Sequence, residues 1–316
     1  MNIISSFSEC MQKYFPLLCI VFLIIGLLIG EMAAGLAYAI PWLMALLMFS
    51  SGLGLRVEDL QSLRERPWLL PVILALLHVV IPLLAMGITY PLGFPLDAVM
   101  GFVILAVIPI SATSVVWVGI YRGNVTLGMA ILLVDTICAP FIIPYVLAFF
   151  FGADVSMDPF GMLRGLFWML FFPTFLALVC NRVTQGGLQR IAGQPIAFAS
   201  KLAVFAILVI NGGVVAPFVH DFNLMLLLVF CATLALTAFW YLFSFWAGRL
   251  LFPKGEDALA LTLTALRGST TGMVIAMTYF PPMATLVVVF CMLFQQALAA
   301  YFGKMARNWI DKKERS

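Results

Sequence analysis

Ten apolar stretches, each close to the length of a bilayer crossing, follow one another along this chain. They run over roughly 15–34, 37–55, 68–91, 98–121, 125–151, 161–181, 199–219, 222–251, 256–280 and 283–306. A helix needs about 20 apolar residues to cross the hydrocarbon core. The connectors are short and leave no room for a soluble domain. Composition agrees: of 316 residues, 64% are hydrophobic and 10% charged, where a soluble domain carries about 25% charged residues. A single core of this size cannot hide so much apolar surface, so the surplus must face lipid. A cytosolic enzyme, a disulfide scaffold and a disordered chain are excluded together. The net charge of +3, with its basic residues scattered, does not point to nucleic acid. The six cysteines lie mostly inside apolar runs without metal-ligand spacing and read as small buried hydrophobes. The first run leads to Glu31 with no small-residue cleavage site, so it is expected to stay as a span.

Ten spans put both termini on one side. Fifteen of the 17 Lys and Arg fall on that side, Arg164 stands alone on the other, and Arg267 lies within a span. Such an asymmetry predicts cytoplasmic termini and an inner (plasma) membrane location.

Two spans are interrupted. The fourth breaks at Pro109-Ile-Ser-Ala-Thr-Ser114 and the ninth at Arg267-Gly-Ser-Thr-Thr-Gly272. Ser111 and Ser269 are 158 residues apart, half the chain length. With five spans in each half, the second half must insert upside down. The expected architecture is therefore all-α: ten transmembrane helices in an inverted five-helix repeat, residues 1–151 and 152–316, with two broken crossing helices.

An unwound backbone in hydrocarbon leaves peptide groups unpaired at several kcal/mol each, so it survives only where protein or a water-filled cavity covers it. Half-helix ends then present partial charges to the midplane, which suits ions and charged substrates. The candidate substrate- and ion-binding residues are Ser111, Thr113, Ser114, Ser269, Thr270 and Thr271 at the breaks, with Asp135 and Arg267. The two ionisable residues cost about 2.5–3.5 kcal/mol each at bilayer centre, which marks them as functional candidates. The same features admit a structural reading: kinks that help packing, with Asp135 and Arg267 neutralising one another. His78, among Leu and Val in the third span, reads more readily as a hydrogen-bonded structural residue.

Leu47-Met-Phe-Ser-Ser-Gly-Leu-Gly-Leu55, followed by Val57-Glu-Asp-Leu60, resembles the end of the second helix in the bile acid:sodium symporter family. Pro109-Ile-Ser-Ala-Thr-Ser-Val115, running to Arg122-Gly-Asn-Val125 and Ala139-Pro140, is similar to that family's fourth and fifth helices. The resemblance implies a panel domain, a core domain with crossed broken helices, and alternating-access transport of organic anions with sodium. The chain departs from the family at several sodium-ligand positions. Val115 stands where an Asn is usual, and Gly128 and Leu132 replace hydroxyl ligands. Ala265 lies near the family's Glu, Ser269 near one Gln and Leu77 near another. Ser114 is kept. Positions 128, 132 and 135 share one helical face, so Asp135 brings a carboxylate to the face where the family places ion ligands. Asp135 and Ser114 are the candidate sodium ligands, and a proton on Asp135 is the other candidate coupling ion.

The function expected is secondary active transport of small organic anions, coupled to Na+ or H+, with no cofactor beyond the coupling ion. The partners are the anion and the bilayer. Arg267, whose planar fork binds carboxylates bidentately, is a candidate anion contact. The alternatives are a metalloid (arsenite-type) exporter of related fold and a passive pore. Span four lacks the cysteine that the exporter family carries there. An enzyme is not expected, because there are only two histidines and no visible nucleophile–base pair.

Overall fold

The structure, a computed structural model, describes residues 15–55, 58, 67–152, 158–220 and 223–315. Val57, Asp59 and Leu60 of the second-helix motif lie outside the described residues, as do Lys13, Arg56, Arg64 and Arg66. Among the described residues the chain is helical, and the only β-type pairing is an isolated bridge between Ile110 and Arg267.

Among the described residues, seven helices are long and apolar enough to cross a membrane: Glu31–Leu53, Leu69–Thr89, Val125–Phe151, Pro159–Val183, Gly187–Pro217, Leu224–Leu251 and Pro282–Lys313. Leu17–Ile29 and Leu96–Val107 are shorter apolar helices. We label the elements used below as α1 (Phe15–Ile29), α2 (Ile40–Leu53), α3 (Leu69–Thr89), α4 (Leu96–Val107), α5 (Thr113–Ile120), α6 (Val125–Phe151), α7 (Pro159–Val183), α8 (Gly187–His220), α9 (Leu224–Leu251), α10 (Gly255–Leu263), α11 (Ser269–Tyr279) and α12 (Pro282–Arg315). The fourth and ninth apolar stretches are each two helices: α4 and α5, and α10 and α11.

The outside of the protein is greasy. Leu28, Trp42, Phe149 and Ile191 are each about 80% exposed or more, which in water would be a serious aggregation liability and in lipid is the natural solvent-facing surface. Inside, α1 and α2 pack on α8, and α2 also packs on α7; α4 lies against α12 and α3, α9 against α10 and α12, and α11 against α12. No hydrophobic effect drives helices together in lipid, so close backbone approach matters more. Gly26 and Gly212 provide it between α1 and α8. A Cβ on Gly26 would collide with the Val209 carbonyl, and one on Gly212 would sit 2.9 Å from the Gly26 Cα.

Two helices contain a π-turn, Leu76–Val80 in α3 and Phe167–Phe171 in α7, each followed at once by an X-Pro pair, Ile81-Pro82 and Phe172-Pro173. The periodicity of the apolar runs does not reveal them.

Gly212→Val should push α1 off α8. Overpacking of this kind costs about 1–3 kcal/mol, so the variant's melting temperature in detergent should fall clearly below that of Gly212→Ala, and the latter below the parent.

Candidate functional site

The two breaks meet. Ile108 precedes a proline and is extended (ψ 153°), as the Pro ring requires of its neighbour, and α4 stops there. On the other side, α10 tightens through i→i+3 bonds from Thr264 to Leu261, Ala265 to Thr262 and Leu266 to Leu263 before Arg267 runs extended. The two open segments pair antiparallel: the Gly268 amide donates to Pro109 O at 2.8 Å, and the Ser111 amide donates to Leu266 O at 2.9 Å. A Cβ on Gly268 would sit 3.1 Å from Pro109 O, tighter than ordinary contact. Each break thus supplies the hydrogen bonds that the other has lost.

Asp135, fully buried on α6, takes another. Its Oδ2 accepts the Ile110 amide at 2.6 Å, and its Oδ1 lies 2.7 Å from His78 Nε2 on α3. His78 Nδ1 is buried and has no hydrogen-bond partner. Arg267, 2% exposed, donates from Nη1 to Ile108 O (3.2 Å) and from Nη2 to Leu77 O (3.4 Å), while its Nε is unpartnered. The Leu77 carbonyl is available for a definite reason. In the π-turn the Ile81 amide bonds Leu76 O, so the next carbonyl, Leu77 O, would take the amide of residue 82. That residue is Pro82, which has none. Asp135 and Arg267 meet at Ile110, whose amide bonds Asp135 and whose backbone is bridged to Arg267, but the two form no direct ion pair. A carboxylate sits by the amide that leads into α5 and a guanidinium sits by the carbonyl that ends α4, which is the sense the helix dipoles favour.

The remaining candidates divide between two environments. The Ser111 and Thr113 hydroxyls are 2.8 Å apart on the exposed side of the first break. Ser114 and Thr271 are buried and Thr270 is half-buried. The buried Ser269 hydroxyl donates to Gln295 Oε1 at 2.9 Å, and neighbouring Gln296 accepts from Trp117 Nε1 at 2.8 Å. No hydrogen bond joins Ser114 to Asp135. Sequence reasoning passed over His78 as a bystander and missed Gln295 and Gln296. The signal for the glutamines was present: two adjacent amides inside an apolar run.

Two small cavities border the crossing. A cavity of about 10 Å³ borders Asp135 and Leu77, and one of about 40 Å³ borders Gln295, Gln296 and Cys19. These hold a water or so. A cavity of about 640 Å³ opens at the ends of α2 and α7, lined by Leu53, Glu58, Asn181, Arg182 and Arg190 among others.

The Sodium Bile acid symporter family model matches residues 41–226, a segment that contains the first break, His78 and Asp135. The chain belongs to the sodium bile acid symporter family. This family member is 34% identical over 304 residues to "Uncharacterized protein YbaS" of Bacillus subtilis (strain 168), covering 93% of this chain and 97% of that one. It is 22% identical to "Uncharacterized sodium-dependent transporter YocS" of the same organism, over 98% of this chain and 96% of the relative. It is 25% identical to "Probable sodium/metabolite cotransporter BASS2, chloroplastic" of Oryza sativa subsp. japonica, over 58% and 44%. This family member is thus a multi-pass membrane protein of a transport family, and the names of its relatives indicate a transporter rather than an enzyme. They do not favour the metalloid exporter or the passive pore.

His78→Ala removes the partner of one Asp135 oxygen in a buried site. An unsatisfied buried group costs about 1–3 kcal/mol. The variant should lose thermal stability in detergent, and His78→Gln, whose amide N–H can still reach Asp135, should recover most of the loss.

Proposed function

We propose that this chain is a secondary active transporter of small organic anions working by alternating access in the inner (plasma) membrane, with both termini cytoplasmic. On this reading its ten spans form two oppositely inserted five-helix halves, 1–151 and 152–316, folded into a panel and a core. The observation that carries it is the antiparallel pairing of the Pro109–Ser111 and Leu266–Gly268 backbones. Two broken helices that satisfy each other at mid-depth, with intramembrane charges gathered around them, are how carriers build a site near the bilayer centre. The large cavity with Arg182 and Arg190 is of ligand size and basic, and serves as a vestibule for an anion. The small cavities at the crossing suit a closed conformation in which the substrate path is shut.

The coupling ion, sodium or a proton, acts through Asp135 with Ser114. Asp135 touches the first break directly through the Ile110 amide, so its charge state bears on the geometry of the break. Substrate contacts fall to the hydroxyls that the breaks expose, Ser111 and Thr113 first, with Ser269, Thr270 and Thr271 behind them. No cofactor is required beyond the coupling ion.

Counterflow of a panel of carboxylates and sulfonates in proteoliposomes, with sodium and pH varied independently, should show saturable exchange. Asp135→Asn should keep exchange and lose the ion dependence of net uptake. Absence of counterflow for every anion tested, in protein shown to be folded, would remove the reading. A reporter fused after Ser316 should be active only if it functions in the cytoplasm.

A further inference from the structure

We infer that the Arg267 guanidinium is a tethered cation, standing in a backbone-carbonyl cradle where a free cation would otherwise have to bind. Three observations converge on it. The cradle is made of two carbonyls that secondary structure cannot satisfy: Leu77 O, whose π-turn partner would be Pro82, and Ile108 O, at the last residue before Pro109. Arg267 donates one Nη to each, and these are its hydrogen bonds. A carboxylate, Asp135, holds the amide of Ile110, the residue bridged to Arg267.

Two freed carbonyls beside a carboxylate form an all-oxygen site, the chemistry by which unwound membrane helices hold a sodium ion. Here the positive charge is covalently attached. Arg267 is 2% exposed, its two Nη groups face backbone, and its third donor, Nε, has no partner. Its fork is therefore turned to the cradle and not towards any of the cavities. A side chain that only filled space would not need a full charge in hydrocarbon, where the cost is about 2.5–3.5 kcal/mol or more. One that cancels Asp135 and caps two orphan carbonyls supplies what a bound cation supplies.

The consequence for coupling rests on the transport reading above: the α3–break junction is held together without sodium, and no sodium ion is carried in the cradle. Arg267 is in this sense a positioning residue, acting on the site through the backbone of the first break and of α3.

The test uses purified full-length protein and its thermal unfolding in detergent, with sodium, ethylguanidinium or choline chloride at matched low ionic strength. Ser114→Ala, which removes the other proposed sodium ligand and leaves the cradle intact, should unfold at the same temperature in sodium as in choline. Arg267→Ala should unfold several degrees lower in choline and be restored, saturably, by ethylguanidinium or sodium. A merely structural arginine would not show this cation-specific rescue. If Arg267→Ala does not fold, Arg267→Lys and Arg267→Gln decide. The Lys variant should be indifferent to sodium, and the Gln variant, which keeps amide donors but no charge, should need it. Specific stabilisation of Ser114→Ala by sodium over choline would overturn the inference, whereas sodium stabilisation that Ser114→Ala abolishes belongs to the Asp135–Ser114 site and upholds it. So would a Gln variant as stable as the parent and equally indifferent to cations, or an Ala variant that neither cation restores. Each of these readouts is made without substrate, so a failure to find organic-anion counterflow would strike the transport reading and leave this result standing.

Discussion

A helix broken in hydrocarbon must find hydrogen-bond partners for its open peptide groups, and in this protein each of two broken helices finds them in the other. Pro109 O and Gly268 N, and Ser111 N and Leu266 O, close a two-rung antiparallel bridge inside a membrane domain. The Ile110 amide and the Ile108 carbonyl are among the groups that the bridge does not use. Asp135 takes the amide and Arg267 takes the carbonyl. The two ionisable residues are thus bound first to the backbone and only through it to each other. His78 and Leu77, from a third helix, complete the set and tie α3 to the same point.

This arrangement explains why expensive side chains are kept in the middle of an apolar protein. Leaving the break uncapped would cost several kcal/mol for each group. A neutral donor could cap the carbonyls, but it would bring no positive charge close to Asp135. Of the two structural alternatives that the sequence allowed, a direct Arg267–Asp135 pair is not what the molecule uses. Its charges are bridged by peptide groups.

The membership of the family and the departures from its ligand pattern are reconciled at the same place. Where Leu77 stands, the side chain offers nothing, but the backbone does, because the π-turn and Pro82 strip Leu77 O of its helical partner. Comparison by residue type is blind to a carbonyl set free in this way.

Hydropathy is local and additive, so the apolar runs, the two interruptions at Pro109 and Arg267, and the oddity of Asp135 and Arg267 within spans could all be read along the chain. The likeness of Ser111–Thr113 to Ser269–Thr271 at half the chain length pointed to the breaks as a pair. The partners of the charges could not be read in this way. His78 is 57 residues from Asp135 and Leu77 is 190 from Arg267, and nothing in a run of Leu and Val announces which carbonyl a π-turn will set free. Which residues must be paired follows from the covalent chain, since Pro lacks an amide hydrogen and a charge in lipid needs a counterpart. Which residues do the pairing depends on how helices distant in sequence pack, and only the tertiary structure decides it.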